Sequence, residues 1–366
     1  MRTIHSRSGL AITLLLSSFV GITSSAHAGA LPEQYAHNPI HVRPNASTSP
    51  TGLSPATIQS AYGFSTSPTA GAGQTIAIVD AYDNPNAEAD LGVFSTQYSL
   101  PSCTTANGCF TKVNQTGGTK YPRTNSGWAL EISLDVQWAH AIAPGARILL
   151  VEASSNSFTN LMAAEDYAKT HAGYVSNSWG AAEFSGEAAY DSHFVQPSVS
   201  FFVSSGDTGT PAQYPSSSPN VISVGGTTLN FVSGVFSSET GWSGSGGGCS
   251  LYESATVAQL NFATYGQVNC AGKRATPDVS LNADPASGMS VYDSVLYQGQ
   301  SGWWTVGGTS ASAPMWAARS AGAATLVNAT YVYGANITFR DITSGNNGAS
   351  CLVGYDLVTG RGSWTG

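Results

Sequence analysis

Charge is what this chain has least of. Asp, Glu, Lys and Arg make up only 9% of its 366 residues, 21 acidic against 13 basic, for a net charge of −8. The basic residues form no cluster, which argues against a nucleic-acid partner. A surface with so few carboxylates gains little positive charge in acid and resists acid unfolding. Long apolar runs are also scarce. The one candidate, "LAITLLLSSFVGI", is too short to span a bilayer and no second follows. Cysteine is limited to five residues, and none of the seven histidines is followed by glycine.

What is abundant is Gly, Ser, Thr and Asn, together with 42% apolar residues, a composition that suits a compact, turn-rich α/β or β protein. Arg2 and Arg7, the apolar run and "AHA" before Gly29 read as a secretory leader, residues 1–28. The expectation is a secreted, extracellular protein, free of the membrane once that leader is removed. In an exported chain Cys103 pairs naturally with Cys109 and Cys249 with Cys270, leaving Cys351 unpaired. Residues 29–52, rich in Pro, Asn, Ser and Thr, read as a linker or short N-terminal segment.

From residue 53 to 366 no repeat or second linker divides the chain, so one domain is expected. Strand patterns at 75–82, 147–153, 174–180, 199–207 and 220–227 alternate with helical patterns. The helices begin at Asn86, at 126, at 158–172 and near 187–195. That alternation predicts an α/β fold with a mostly parallel sheet and helices on both faces. Sites in such folds gather at the carboxyl ends of strands, where Asp207 of "SSGDTG" falls.

"SGWALEISLDVQWAHAIAPGA" raises the chemical question. Glu131 and Asp135 are four apart on an apolar helix, one turn along the same face, with no Lys or Arg between 124 and 146. Burying two unpaired carboxylates is costly, and close carboxyls in such a setting share a proton, which raises one pKa. On the helix alone, a functional pair and a solvated face both remain open. Glu187 and Asp191 have the same spacing on a segment expected to face solvent. Ser310 opens a second helical run, "SASAPMWAA", after Gly307 and Gly308; there it is either an N-cap or a nucleophile beside a helix N-terminus.

"GTSASAP" resembles the nucleophile motif shared by the subtilisins and the sedolisins, the serine-carboxyl peptidases of subtilisin-like fold. A subtilisin needs a His–Gly motif that this chain lacks, whereas "EISLDVQWAHAIAPGA" is similar to the sedolisin helix. "SSGD", "GGGCS", "PDVSLNADP" and "FRDIT…NNG…YD" follow in the family's order. The resemblance covers about residues 53 to 362. It implies a three-layer, subtilisin-like single domain with Ser310 as nucleophile, Glu131 as general base, Asp135 orienting it and Asp207 as oxyanion-hole donor. A carboxylate base and a protonated Asp207 would both favour acid. It also implies one structural Ca²⁺ bound by the carboxylates of Asp341 and Asp356 and the carbonyls of Ile342 and Gly354, a mixed oxygen cage. Leu352 is a further carbonyl candidate in a loop one residue shorter than the usual pattern. "SNSWG" (176–180) resembles the edge strand that pairs with peptide substrates, and "SGSGGG" (243–248) the strand opposite.

The expected activity is therefore secreted, acid-active serine-type endopeptidase action on proteins or peptides by a monomer. A tripeptidyl exopeptidase of the same family and a non-catalytic secreted binding protein on the same scaffold are the alternatives. Most sedolisins carry a long N-terminal prosegment, whereas only residues 29–52 lie here between leader and domain.

Overall fold

A computed structural model of the chain describes residues 32–43, 45–335 and 337–365, with Met1 and Thr3 besides; the expected leader lies outside the described residues. Seven parallel strands form the frame. They are β1 (Thr75–Ala81), β2 (Phe110–Asn114), β3 (Arg147–Ala153), β4 (Tyr174–Asn177), β5 (Ser200–Ser204), β6 (Ile222–Val232) and β7 (Val279–Asn282). Their order across the sheet is β2–β3–β1–β4–β5–β6–β7, and short strands at Ser363–Trp364 and Phe339–Arg340 extend the edge beyond β7.

Alternation along β1 shows why the sheet is covered twice. Ile76 and Ile78 enter one apolar cluster, while Ala77, Val79 and Ala81 enter another. Successive strand residues face opposite sides, so one short apolar run feeds two cores. The first core takes α1 (Pro55–Tyr62), α2 (Ala87–Tyr98), α3 (Ser126–Ile142) and the helix Thr309–Gly322. The second takes α4 (Phe158–Ala168) and the short helix Glu187–Phe194. The three-layer α/β architecture expected from the alternating pattern is the one observed. Disulfides join Cys103 to Cys109 and Cys249 to Cys270, and Cys351 is free and buried. Among the described residues no helix is long and apolar enough to cross a membrane.

Two expectations change. Residues 33–52 are stitched to the domain rather than spanning a gap. Tyr35 and His37 bridge to Ser157 and Gly180, and His41–Val42 pair antiparallel with the strand Gln300–Gly307. Backbone N–H and C=O groups, which carry no apolar signature, supply those contacts. Glu187 is fully buried rather than solvent-facing. It accepts hydrogen bonds from Phe184 N (2.8 Å) and Ser217 Oγ (3.2 Å), and burial pushes its pKa up to about 8. Tertiary packing overrode the polar local sequence there.

Candidate active site

Helix α3 is buried on every side from Trp128 to Ile142, so the solvated face that its sequence left open does not exist. Asn125 starts it, its side chain accepting from Gly127 N (3.1 Å) and Trp128 N (3.2 Å), which satisfies two of the orphan N–H groups of the first turn. Most polar side chains on the helix are partnered. Ser133 accepts from Asn84 Nδ2 (2.9 Å), and Gln137 exchanges hydrogen bonds with the backbone of Tyr292 (2.6 and 2.9 Å). His140 Nε2 meets Pro101 O at 2.8 Å. Glu131 and Asp135 are the exceptions. Both are fully buried, and none of their four oxygens has a partner in hydrogen-bond geometry. A buried carboxyl left in that condition costs stability, so its retention points to chemistry.

The side chains facing Glu131 are those of Ser310 and Asn38. Burial raises the Glu131 pKa well above the carboxylate range, the Asp135 charge adds to this, and Ser310 and Asn38 hold it down in part. Burial likewise raises Asp135 far above its ordinary value, opposed by the Ser178 hydroxyl. Ser310 Oγ is itself buried without a formed hydrogen bond, a loose contact of the kind that tightens only when substrate arrives.

Ser310 is the second residue of α5 (Thr309–Gly322), and Gly308 rather than Ser310 is the N-cap. Its hydroxyl is therefore not spent on capping. Gly308 sits at φ 119°, and a Cβ there would meet Pro39 O at 2.2 Å and Asp207 Oδ2 at 2.6 Å, so only glycine fits. Asp207 follows β5 and lies beside the same turn. Its Oδ1 accepts from Thr309 N (2.8 Å) and Thr309 Oγ1 (2.8 Å), and His41 Nε2 lies 3.2 Å from its Oδ2. Burial raises its pKa, with His41 pulling the other way. All four residues expected from the sequence thus meet at the carboxyl-end edge of the sheet.

Sequence reasoning missed Asp80. It is fully buried on β1 with neither oxygen partnered, and burial raises its pKa, reinforced by the charges of Asp135, Glu131 and Glu152. Glu152, one strand over, is pushed up to about 8 by burial, with Lys112 at 3.7 Å opposing. A chain of carboxyls so runs from Asp207 through Glu131, Asp135 and Asp80 to Glu152. The signal for Asp80 was a lone acid inside "TIAIVDAY", the apolar run that became β1. Trp128 and Trp242 are both largely buried; Trp242 meets the His41 ring edge-on at 5.7 Å. "SGSGGG" is a strand only from Gly248 onward; before that Gly244 O and Gly246 N bond to Gly209 and Gly206.

At the expected calcium loop, Asp341 Oδ2 accepts from Gly354 N (3.0 Å), and Asp356 Oδ2 from Leu352 N (3.0 Å). The Cys351 thiol, pushed up to about 12 by burial, feels both carboxylates. The two acids therefore converge on one loop. The carboxylates of Asp341 and Asp356 are hard oxygens, which suits Ca²⁺, and the Cys351 sulfur beside them is a soft atom that Ca²⁺ would not use. Cys103, Cys109 and His140 also gather, but the two sulfurs are bonded to each other.

Residues 117–341 match the model of the subtilase family. Kumamolisin of Bacillus sp. (strain MN-32) is 30% identical over 87% of this chain and 63% of its own length. Sedolisin of Pseudomonas sp. (strain 101) is 34% identical over 44% of this chain and 33% of its own. The chain thus spans less than two thirds of the length of these relatives. The solved structure of Pseudomonas sedolisin, described as a serine-carboxyl proteinase complexed with pseudo-iodotyrostatin, superposes with a TM-score of 0.72. It is 29% identical and covers 86% of this chain and 96% of that one. With a parallel sheet, a glycine-capped serine helix and an E-x-x-x-D helix meeting as they do, the chain belongs to the subtilase family, in likeness to its serine-carboxyl members.

Proposed function

We propose that this chain is an acid-active serine-carboxyl endopeptidase. The observation that carries the reading is that a buried, uncapped serine hydroxyl faces a buried carboxyl pair with no hydrogen-bond partners. Ser310 Oγ attacks the scissile carbonyl while Glu131 accepts its proton and later returns it to the leaving amine. Asp135 holds Glu131, as the third member of such triads holds its base. Asp207, when protonated, donates to the oxyanion that develops beside the α5 N-terminus. Glu131 and Asp135 share a proton, so Glu131 is ionised and able to act while Asp135 keeps that proton, and the raised pKa of Asp207 keeps this donor protonated toward neutrality. Turnover therefore rises as pH falls from neutral, then declines once Glu131 is fully protonated.

Extended peptide has a ready edge. Gly180, after β4, is already strand-paired through its N–H and C=O, and strand addition relies on main-chain bonds that any protein supplies. Asp341 and Asp356, with the Ile342 and Gly354 carbonyls, would hold a structural Ca²⁺ whose charge neutralises the two acids and ties the 341–356 segment together. Secretion after leader removal and action as a monomer complete the reading. Digestion of a peptide library across pH 3–8 by wild type and Glu131→Gln tests it. The reading expects internal cleavage in acid that Glu131→Gln abolishes. A neutral optimum insensitive to that substitution refutes it, and release of tripeptides from free N-termini alone would assign exopeptidase action instead.

A further inference from the structure

A second gathering of acids lies just past the strand edge that ends at Gly180. From there the chain continues as the short strand Ala181–Ala182, which pairs antiparallel with Gln213–Tyr214. Glu183 follows directly, and the short helix Glu187–Phe194 carries Glu187 and Asp191. Glu253 arrives from a separate strand, Gly248–Ser254. The Glu253 carboxyl faces Asp191 and Glu183, Glu187 faces Glu183, and Tyr214 OH donates to Asp191 Oδ1 (3.1 Å). Segments far apart in sequence thus bring four acids together.

The group differs from an ordinary acidic surface. Glu253 is only 5% exposed, and its Oε1 is buried without a hydrogen-bond partner while the carboxyl is turned toward Asp191. A buried acceptor in that condition is costly unless something meets it. Two of the other acids are held from behind. Glu183 accepts from Ser250 Oγ and from Leu251 N (2.9 Å), and Glu187 from Phe184 N (2.8 Å) and Ser217 Oγ (3.2 Å). Outer hydrogen bonds of this kind orient carboxylates around an ion. Among the described residues no Lys, Arg or His forms an ion pair with any of the four. The cation that acts on Glu253 is Lys273, and its Nζ donates instead to Tyr252 O (3.1 Å). Burial, with neighbouring acids adding to it, pushes Glu187 up to about 8 and Glu253 up to about 7. Acids so placed need a proton or a cation between them. Glu183 and Asp191 are half-buried rather than sealed, so an ion has a way in.

We propose that Asp191 and Glu253 ligate a hard divalent cation, of the Ca²⁺ class, at a site separate from the loop that carries Asp341 and Asp356. Three carboxylates nowhere converge on one point among the described residues, so the ion takes two, and neutral oxygens fill the remaining positions. The hydroxyls of Tyr214 and Ser218 already lie against Asp191 and are oxygens of that type. Glu183 and Glu187 add negative charge around the ion. Once bound, it ties the strand Gly248–Ser254 to the helix Glu187–Phe194 and, through Tyr214, to the Ala181–Ala182 ladder. Gln213, beside Tyr214, donates to Thr208 Oγ1 (3.1 Å), the residue after Asp207. The ion therefore braces the edge from behind without touching Glu131 or Ser310; that this edge holds substrate rests on the peptidase reading, whereas the ion binding does not. Protons compete for the same oxygens, so the cation serves the neutral range and shared protons take its place in acid.

Calcium titration of the full-length Ser310→Ala chain, stripped of metal with EDTA, tests this at pH 7.5 without reference to turnover. With Asp341→Asn added to disable the other loop, isothermal titration should still find one Ca²⁺ bound. Amide exchange at 181–183, Tyr214 and Glu253 should slow on binding. Adding Asp191→Asn or Glu253→Gln should weaken that binding at least about tenfold and remove the Ca²⁺-dependent rise in Tm. Both substitutions relieve repulsion, so the metal-free variants should melt no lower than their parent, which separates a lost ligand from a lost fold. Absence of binding in the Asp341→Asn chain, binding that survives both substitutions, or binding that leaves exchange unchanged overturns the proposal. Binding as expected in a chain with no peptidase activity at any pH would instead sink the catalytic reading and leave the ion site standing.

Discussion

Two groups of buried acids lie within one fold and are treated in opposite ways. Asp278, after the strand Lys273–Thr276, has every oxygen occupied. Arg274 Nη1 (2.8 Å) and Tyr333 OH (2.6 Å) donate to Oδ1, while Ser223 N (2.7 Å) and Arg274 Nη2 donate to Oδ2. Gln259 ties Tyr333 and Tyr355 into the same network. Glu131, Asp135 and Asp80 are as deeply buried and have no formed partner at all. A satisfied buried ion pair rigidifies a core, whereas an unsatisfied buried carboxyl costs stability. Glu165 on α4 is also buried with both oxygens unpartnered, so what marks Glu131 and Asp135 as reacting groups is the missing partners together with the Ser310 hydroxyl beside them.

Substitutions should break the two groups differently. Ser310→Ala and Glu131→Gln are expected to lower kcat by at least about 10³-fold while leaving the fold intact, measured by peptide turnover and circular dichroism. Arg274→Ala should do the reverse, costing about 3–5 kcal/mol of stability because it strands Asp278, with turnover per folded molecule unchanged. Asp207→Ala should lower kcat about 10²-fold or more. Asp207→Asn, which can donate at any pH, should lose less and carry the declining limb of the rate profile toward neutral. Asp80→Asn, acting only through its charge on Asp135 and Glu131, should cost about tenfold, equivalent to ~1.4 kcal/mol.

The comparison also has a thermodynamic edge. The folded-state pKa values of Asp80, Glu131 and Asp135 are raised above their unfolded values. Such groups contribute stability that is complete below the unfolded values near pH 4 and is lost as pH rises through the folded ones. Tm should therefore increase as pH falls from 8 toward 5, and the slope should be shallower in Asp135→Asn. A Tm that rises with pH over that range would contradict the shared burial of these acids.

Much of this was legible beforehand because the relevant signals are local. Strand 147–153 was read to the residue, since its β-branched and apolar run is bounded by Gly145 and Ser154. The E-x-x-x-D helix and the Gly–Gly-preceded serine advertise themselves by spacing. The strands Phe110–Asn114 and Val279–Asn282 were not marked as strands, because four or five residues mixing polar and apolar types look like loop until neighbours pair with them. Asp80 was invisible as a site residue because its meaning comes from Asp135, which lies 55 positions away and meets it only across the fold. The docking of residues 33–52 was hidden for a further reason: main-chain pairing leaves no trace in side-chain composition.

The most direct test of the central claim is the pH dependence of kcat/KM for a peptide substrate, measured on wild type and Glu131→Gln. A carboxyl base predicts a maximum well below neutral, and near-complete loss in the variant at every pH. A profile that instead rises to a plateau above pH 7 and survives in Glu131→Gln would show that another group takes the Ser310 proton.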